Sequence, residues 1–212
     1  IAEAIRSARL GIVCMLSMAT LLEASISPVP ALPITELPAA ALWIAQGFAS
    51  PLAGGFSAVQ IRPGLEDGKV TVLAASPQRM VQITATGSCS RPLALPAKAV
   101  KAALQRDRGA EHVAVLEGGN NLVSMRTFSP ACSTATTMPL ATDAALIPSP
   151  SVMPGECQVG FNTALLYDLM RDVKALATVE LQPFAHGLQV LGSGEGFAVW
   201  ALLAGVQPQA SE

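Results

Sequence analysis

The chain has 212 residues, 51% of them hydrophobic and 13% charged, with a formal net charge of -2. That composition excludes a disordered chain and describes a core-rich globular one, long enough for one large domain or two small ones. The slight negative charge excludes bulk attraction to nucleic acid or an anionic membrane, so any such binding requires a local basic stripe.

Residues 1–22 carry apolar side chains at helical spacing, which predicts a helix. Arg6 and Arg9 precede the apolar run of residues 10–22, as in a signal peptide. Two readings stand here, an apolar helix docked on the body and a targeting segment. The run is too short and too interrupted to span a membrane. Residues 25–33 (SISPVPALP) hold three prolines and predict an extended connector.

From there the chain writes one unit three times, starting near Leu37, Leu95 and Phe161: a strand before a helix and three short strands after it. In the first unit a helix is predicted over 36–49, with Pro38 in its first turn. Strands follow over 57–62, 70–75 and 80–86, the last with clean alternation at Val81, Ile83 and Ala85. The second unit opens with LPAKAVKAAL, a helix from Pro96 to about Arg106. Its strands are predicted over 113–117, 122–128 and 132–138, and GGNN (118–121) makes a hairpin turn from residues that tolerate positive φ. Residues 141–154 contain three prolines and read as a linker. The third unit has a helix from about Asn162 to Leu176 and strands over 179–182, 188–191 and 197–203. A unit of this size cannot bury its own apolar faces, so the copies must pack side by side. The expected class is α+β, repeats of a helix packed on short antiparallel strands. The expected domains are 1–33 (helix and Pro-rich connector), 34–150 (two half-repeats) and 151–212 (a third half-repeat with a polar tail).

Catalytic and metal chemistry find no support. Cys14, Cys89, Cys132 and Cys157 form no CxxC pair and read as buried free thiols, although a disulfide in an exported form stays open. His112 and His186 are the only histidines, and neither sits in an HxxxH or HExxH spacing. GSGEG (192–196) lacks the Lys-Ser/Thr of a phosphate loop and precedes a strand, so its glycines are assigned to a turn. No GxSxG elbow occurs. Asp168 and Asp172 share a helix face at i,i+4 and read as a solvated face. The expectation is a protein that is not an enzyme, with no cofactor, no metal and no catalytic residue.

The basic residues carry more information. Lys98, Lys101 and Arg108 fall on the second helix and its end, with Val100, Ala103 and Leu104 on the other side. On the third helix Arg171 and Lys174 follow Tyr167 at i+4 and i+7, opposite an apolar stripe of Leu165, Leu166, Leu169, Met170, Val173 and Leu176. Two helices thus pair a basic outer face with an apolar inner one. An ordinary solvated surface accounts for either helix alone. Repetition at equivalent places narrows the margin of that reading, and basic helices lined along one wall would contact phosphates without reading bases.

These residues carry a family resemblance. Residues 34–150 resemble one complete domain of a bacterial-type DNA polymerase sliding clamp. The match runs through the opening helix and its turn SPLAGG, the strand SAVQIRP, the meander DGKVTVLAASPQRMVQITATG and the second-half opening LPAKAVKAAL. IPSPSVMP (147–154) resembles the connector between clamp domains, and 161–203 is similar to the final half-domain. The likeness covers about three quarters of the chain. It departs in having three half-domains where the family has six, in the uncharged first helix, in the tail after residue 204, and in residues 1–33, which have no counterpart.

The resemblance implies a cytoplasmic processivity factor of DNA replication that encircles duplex DNA as a homo-oligomer. It implies phosphate contacts at Lys98, Lys101, Arg108, Arg171 and Lys174. From FAVWALL it implies a pocket at Trp200 and Leu202 for polymerase or clamp-loader peptides, although both side chains equally suit the core. Two rivals remain: a clamp-fold adaptor or inhibitor that binds a polymerase or a clamp without encircling DNA, and an exported binding protein with an N-terminal signal.

Overall fold

The strands form where one face of an alternating run finds a core. Val70, Val72 and Ala74 turn inward, as do Val81, Ile83 and Ala85, and all are fully buried. A computed structural model describes residues 33–50, 56–142, 147, 161–184 and 186–205. The expected helix and connector over 1–32 and most of the expected 141–154 linker lie outside the described residues, as do Cys14 and Cys157.

In chain order the elements are β1 (Pro33–Pro38), α1 (Ala39–Phe48), β2 (Ala58–Pro63), β3 (Lys69–Ser76), β4 (Arg79–Thr86) and β5 (Ser88–Cys89). Then come β6 (Leu93–Pro96), α2 (Ala97–Arg106), β7 (His112–Glu117), β8 (Leu122–Phe128) and β9 (Ser133–Pro139). The last are α3 (Thr163–Asp172), β10 (Thr178–Phe184), β11 (Gly187–Gly194) and β12 (Phe197–Ala204). The class is α+β, as expected. The strand expected before the third helix falls on residues outside the described set.

The repeats interlock more deeply than side-by-side packing. The first two units exchange their opening strands. β1 pairs with β7 in a five-stranded antiparallel sheet ordered β5-β1-β7-β8-β9. β6 pairs with β2 in a seven-stranded sheet ordered β10-β11-β12-β4-β3-β2-β6. The third unit enters that second sheet through β12, which pairs with β4 from Phe197 opposite Ala85 to Leu203 opposite Arg79. One core cluster therefore runs through all three units and includes Leu42, Phe48, Val100, Leu104, Leu169, Val173 and Leu203.

The helix starts are set by non-local partners. Pro38 and Pro96 precede α1 and α2 and offer no side-chain cap. Instead the Ala39 amide donates to the Glu111 carbonyl and the Ala97 amide to the Ser57 carbonyl, both at 2.9 Å. α3 is capped locally: Asn162 Oδ1 accepts from the amides of Ala164 and Leu165 at 2.9 and 3.4 Å.

Several expectations are corrected. Residues 36–38 are strand rather than helix, because they pair with β7, Glu36 opposite Ala114, Leu37 opposite Val113 and Pro38 opposite His112. Gly192 and Gly194 belong to β11, and the turn is Glu195–Gly196 with φ +76 at Gly196. Met170 is 41% exposed and leaves the apolar stripe, whereas Leu169 and Val173 are buried. Cys132 is exposed and Cys89 half-buried, so neither is a core thiol, although both are free. The GGNN hairpin is as expected, with positive φ at Gly119, Asn120 and Asn121.

A second, smaller cluster lies on the opposite face of the seven-stranded sheet. Leu73 and Ala75, which alternate with the inward residues of β3, are covered there by Ile147, with Phe56 and Met80 packed alongside. The backbone of Ile147 is tied down at both ends: its amide donates to Gln60 Oε1 at 3.4 Å and its carbonyl accepts from Arg62 at 3.1 Å.

Candidate nucleic-acid interface

α1 is apolar almost all round, and α2 and α3 both contact it. Between the three helices lies an open cleft of roughly 660 Å³. Its floor is the one face of α1 not buried in the core, which presents Trp43, Gln46 and Gly47. Its walls are Lys98 and Lys101 of α2, and Arg171 and Lys174 at the end of α3. Helical spacing places Lys98 and Lys101 on one side of α2. α3 ends at Asp172 and not at Leu176 as expected. Lys174 therefore stands in the turn that follows, its amide donating to the Arg171 carbonyl at 3.5 Å, and it lines the same space as Arg171. Among the described residues Lys98, Lys101 and Lys174 pair with no carboxylate. Arg108 is exposed in the turn after α2 and does not line this cleft.

One carboxylate reaches the cleft. Asp172 is not on a solvated face: its side chain is 10% exposed and pairs with Arg79 of β4 at 3.2 Å. Arg79 also donates to the Gly47 carbonyl at 2.9 Å and lies over the Phe48 ring, 5.3 Å from its centroid. Gly47 makes this approach possible, because a Cβ there would stand 2.7 Å from the Asp172 carboxyl. Burial pushes the Asp172 carboxyl above its ordinary value, and the nearby Arg79 and Arg171 only partly oppose that. Arg171 contacts Asp172 at 3.4 Å and Asp168 at 2.9 Å. Among the described residues the cleft therefore sets five cationic side chains against one carboxylate, in a chain whose net charge is -2.

The expected partner residues lie elsewhere. Trp200 and Leu202 sit on the outer face of β12, half-buried, while Phe197, Val199, Ala201 and Leu203 face the core. Cross-strand register places Trp200 between Leu191 and Gln82, and Leu202 between Gln189 and Met80. Met80 continues into the cluster held down by Ile147. Gln82 Oε1 is buried and accepts no hydrogen bond among the described residues. Neither the basic cleft nor this face brings together three His, Cys, Asp or Glu side chains that could hold a metal, among the described residues. No helix among the described residues is long and apolar enough to cross a membrane.

Sequence reasoning passed over Trp43, Gly47 and Arg79, and it misread Asp172 as part of a solvated face. The signal for the first two was present: in AAALWIAQGF the only residues that are not aliphatic or Phe are Trp43, Gln46 and Gly47, and they share one stripe at i, i+3 and i+4. Nothing local marks Arg79 and Asp172, which lie 93 residues apart.

No protein-family model matches the chain, and no curated protein matches its sequence. Solved structures do match. Proliferating cellular nuclear antigen (PCNA) from Thermococcus kodakaraensis superposes with a TM-score of 0.56 at 12% identity, over 81% of this chain and 99% of that one. The PCNA of Entamoeba histolytica gives a TM-score of 0.48 at 12% identity, over 82% and 99%. The bacterial-type clamp expected from the sequence is not confirmed by these matches. The chain therefore has an α+β fold of the PCNA sliding-clamp type.

Proposed function

We propose that this chain is a non-enzymatic clamp subunit that oligomerises into a closed ring around duplex DNA and tethers replication proteins to it. The single observation that carries the reading is the convergence of Lys98, Lys101, Arg171 and Lys174 on one cleft between the helices of a clamp fold. Mobile cationic side chains on such a wall attract phosphates without base contacts, which allows sliding. Arg108, exposed in the turn after α2 and outside the cleft, is a further cation proposed for phosphate contact. The outer row of Leu191, Trp200, Leu202 and Met80 supports a docking strip for short apolar peptides of a polymerase or clamp loader.

The test is the salt dependence of duplex binding. Each phosphate contact contributes about 0.9 to the slope of log K against log salt. Replacing Lys98, Lys101, Arg171 and Lys174 together by Ala should lower the slope by up to about 3.6 and weaken all sequences alike. An unchanged slope refutes the cleft as the phosphate contact.

One observation favours a second reading, a clamp-fold adaptor that binds a polymerase or clamp without encircling DNA. β7, the first strand after α2, is covered on its outer edge by β1. Its counterpart β10 has no such neighbour among the described residues, and Val179 and Leu181 on it are 37% and 46% exposed. Solution mass separates the two, because an adaptor remains a monomer near 21.8 kDa with and without DNA.

A further inference from the structure

We infer that the basic cleft takes unpaired nucleotides of a single-stranded nucleic acid, with the Trp43 indole as the platform on which a base stacks. This rests on the cleft being the nucleic-acid face and adds a ligand class that duplex contact does not require. A duplex offers phosphates outward and keeps its bases stacked on one another, so cations alone suffice for it. An aromatic ring in the same cleft has nothing to stack on until a base is unpaired. Trp43 is such a ring. It is 37% exposed on a helix whose other large apolar residues, Leu42, Ile44 and Phe48, are buried to within 1%.

The surroundings fit that use. α1 carries no charge, so it contributes nothing to phosphate binding. The cations stand on the flanking helices, two from α2 and two from the end of α3, with the indole on the floor between them. A stacking surface bordered by backbone-tracking cations is the arrangement with which proteins hold single strands. Small residues keep the floor open: Gly47 and Ala97 line the space beside Trp43. The volume of roughly 660 Å³ lies within the range of about 300 to 1,000 Å³ in which pockets enclose small ligands. The one acid, Asp172, is engaged by Arg79 and Arg171 and faces an incoming phosphate already paired.

The chain has two tryptophans, so Trp200→Phe leaves Trp43 as the sole indole emitter. In that background, oligothymidylate and a blunt duplex of equal length are titrated against the full chain, reading both indole emission and the anisotropy of labelled DNA. The expected result is quenching of Trp43 by oligothymidylate and not by duplex. Trp43→Leu should lower single-strand affinity about fivefold or more beyond its effect on the duplex, and Trp43→Phe, which keeps a ring, should restore much of it. Single-strand binding without quenching, and with no loss in Trp43→Leu, overturns the stacking role while leaving the basic cleft intact. Binding of neither DNA overturns both. Emission that tracks protein concentration instead of DNA means that a second copy of the chain covers Trp43, and overturns the proposal.

Discussion

Arg79→Ala should destabilise this fold far more than an ordinary ion-pair mutation. Arg79 sits on β4 of the first unit and Asp172 ends α3 of the third, so the pair ties together units far apart in sequence. The two side chains are 11% and 10% exposed, and the contact is 3.2 Å. Removing the guanidinium strands the Asp172 carboxylate with only Arg171, a 54% exposed side chain at 3.4 Å. It also removes the donor to the Gly47 carbonyl and the cation over Phe48. Breaking a buried pair from one side costs about 3–5 kcal/mol. Two features favour the lower end: Arg171 remains, and Asp172 can escape by taking a proton, toward which burial already biases it. About 3 kcal/mol is therefore expected at neutral pH, or roughly 6–12 °C in melting temperature for a chain of this size. Urea denaturation of the wild type, Arg79→Ala and the double change Arg79→Met with Asp172→Leu measures it. The double variant should recover much of the loss, because no charge is left unpaired. A loss in Arg79→Ala below about 1 kcal/mol, the scale of an exposed pair, refutes the reasoning.

Leu169→Asp places an unpaired charge in the core under α3, where Leu169 is fully buried, and should cost several kcal/mol. An unchanged melting temperature would show that α3 does not pack as described. Trp200→Ala should weaken binding of an apolar polymerase peptide by about 1 kcal/mol or more while the fold survives, since its half-buried ring lies on the outer face of β12. Loss of stability of roughly 3–5 kcal/mol without specific loss of binding would assign Trp200 to the core instead. The raised Asp172 carboxyl means that the folded chain holds that proton to higher pH than the unfolded chain does. Its contribution is fully present below the ordinary value of 3.8 and is lost as pH rises through the folded-state value. Relative to Asp172→Asn, the wild type should lose stability over that acid window. A gain there would mean that pairing with Arg79 outweighs burial.

The strands were legible because each buries one face: β4 declares its inward set as Val81, Ile83 and Ala85, with no help from elsewhere in the chain. β1 was legible only as a strand before the first helix, and its bounds were not, because PITELP alternates weakly and is fixed as a strand by pairing with β7, some seventy-five residues on. The exchange of β1 and β6 between the two sheets is likewise a property of long-range pairing, which local pattern does not record. For the cleft, helical spacing showed that Lys98 and Lys101 share a face. It put Arg171 and Lys174 on one face too, although Lys174 stands in the turn after α3. Their convergence depends on α1 lying between α2 and α3, a fact of packing. Asp172 was misread because the i,i+4 rule weighs only neighbours on its own helix, and Arg79 comes from another unit. Trp43 was passed over because an uncharged helix was weighed only for phosphate contact.

Encirclement is the central claim, and retention on DNA without ends tests it most directly. The protein is equilibrated with nicked circular duplex, washed at a salt concentration that releases simple electrostatic binders, and the circle is then cut once with a restriction enzyme. A closed ring should stay on the circle through the wash and leave after the cut, because it slides off free ends. Equal retention on circular and linear DNA would contradict the account.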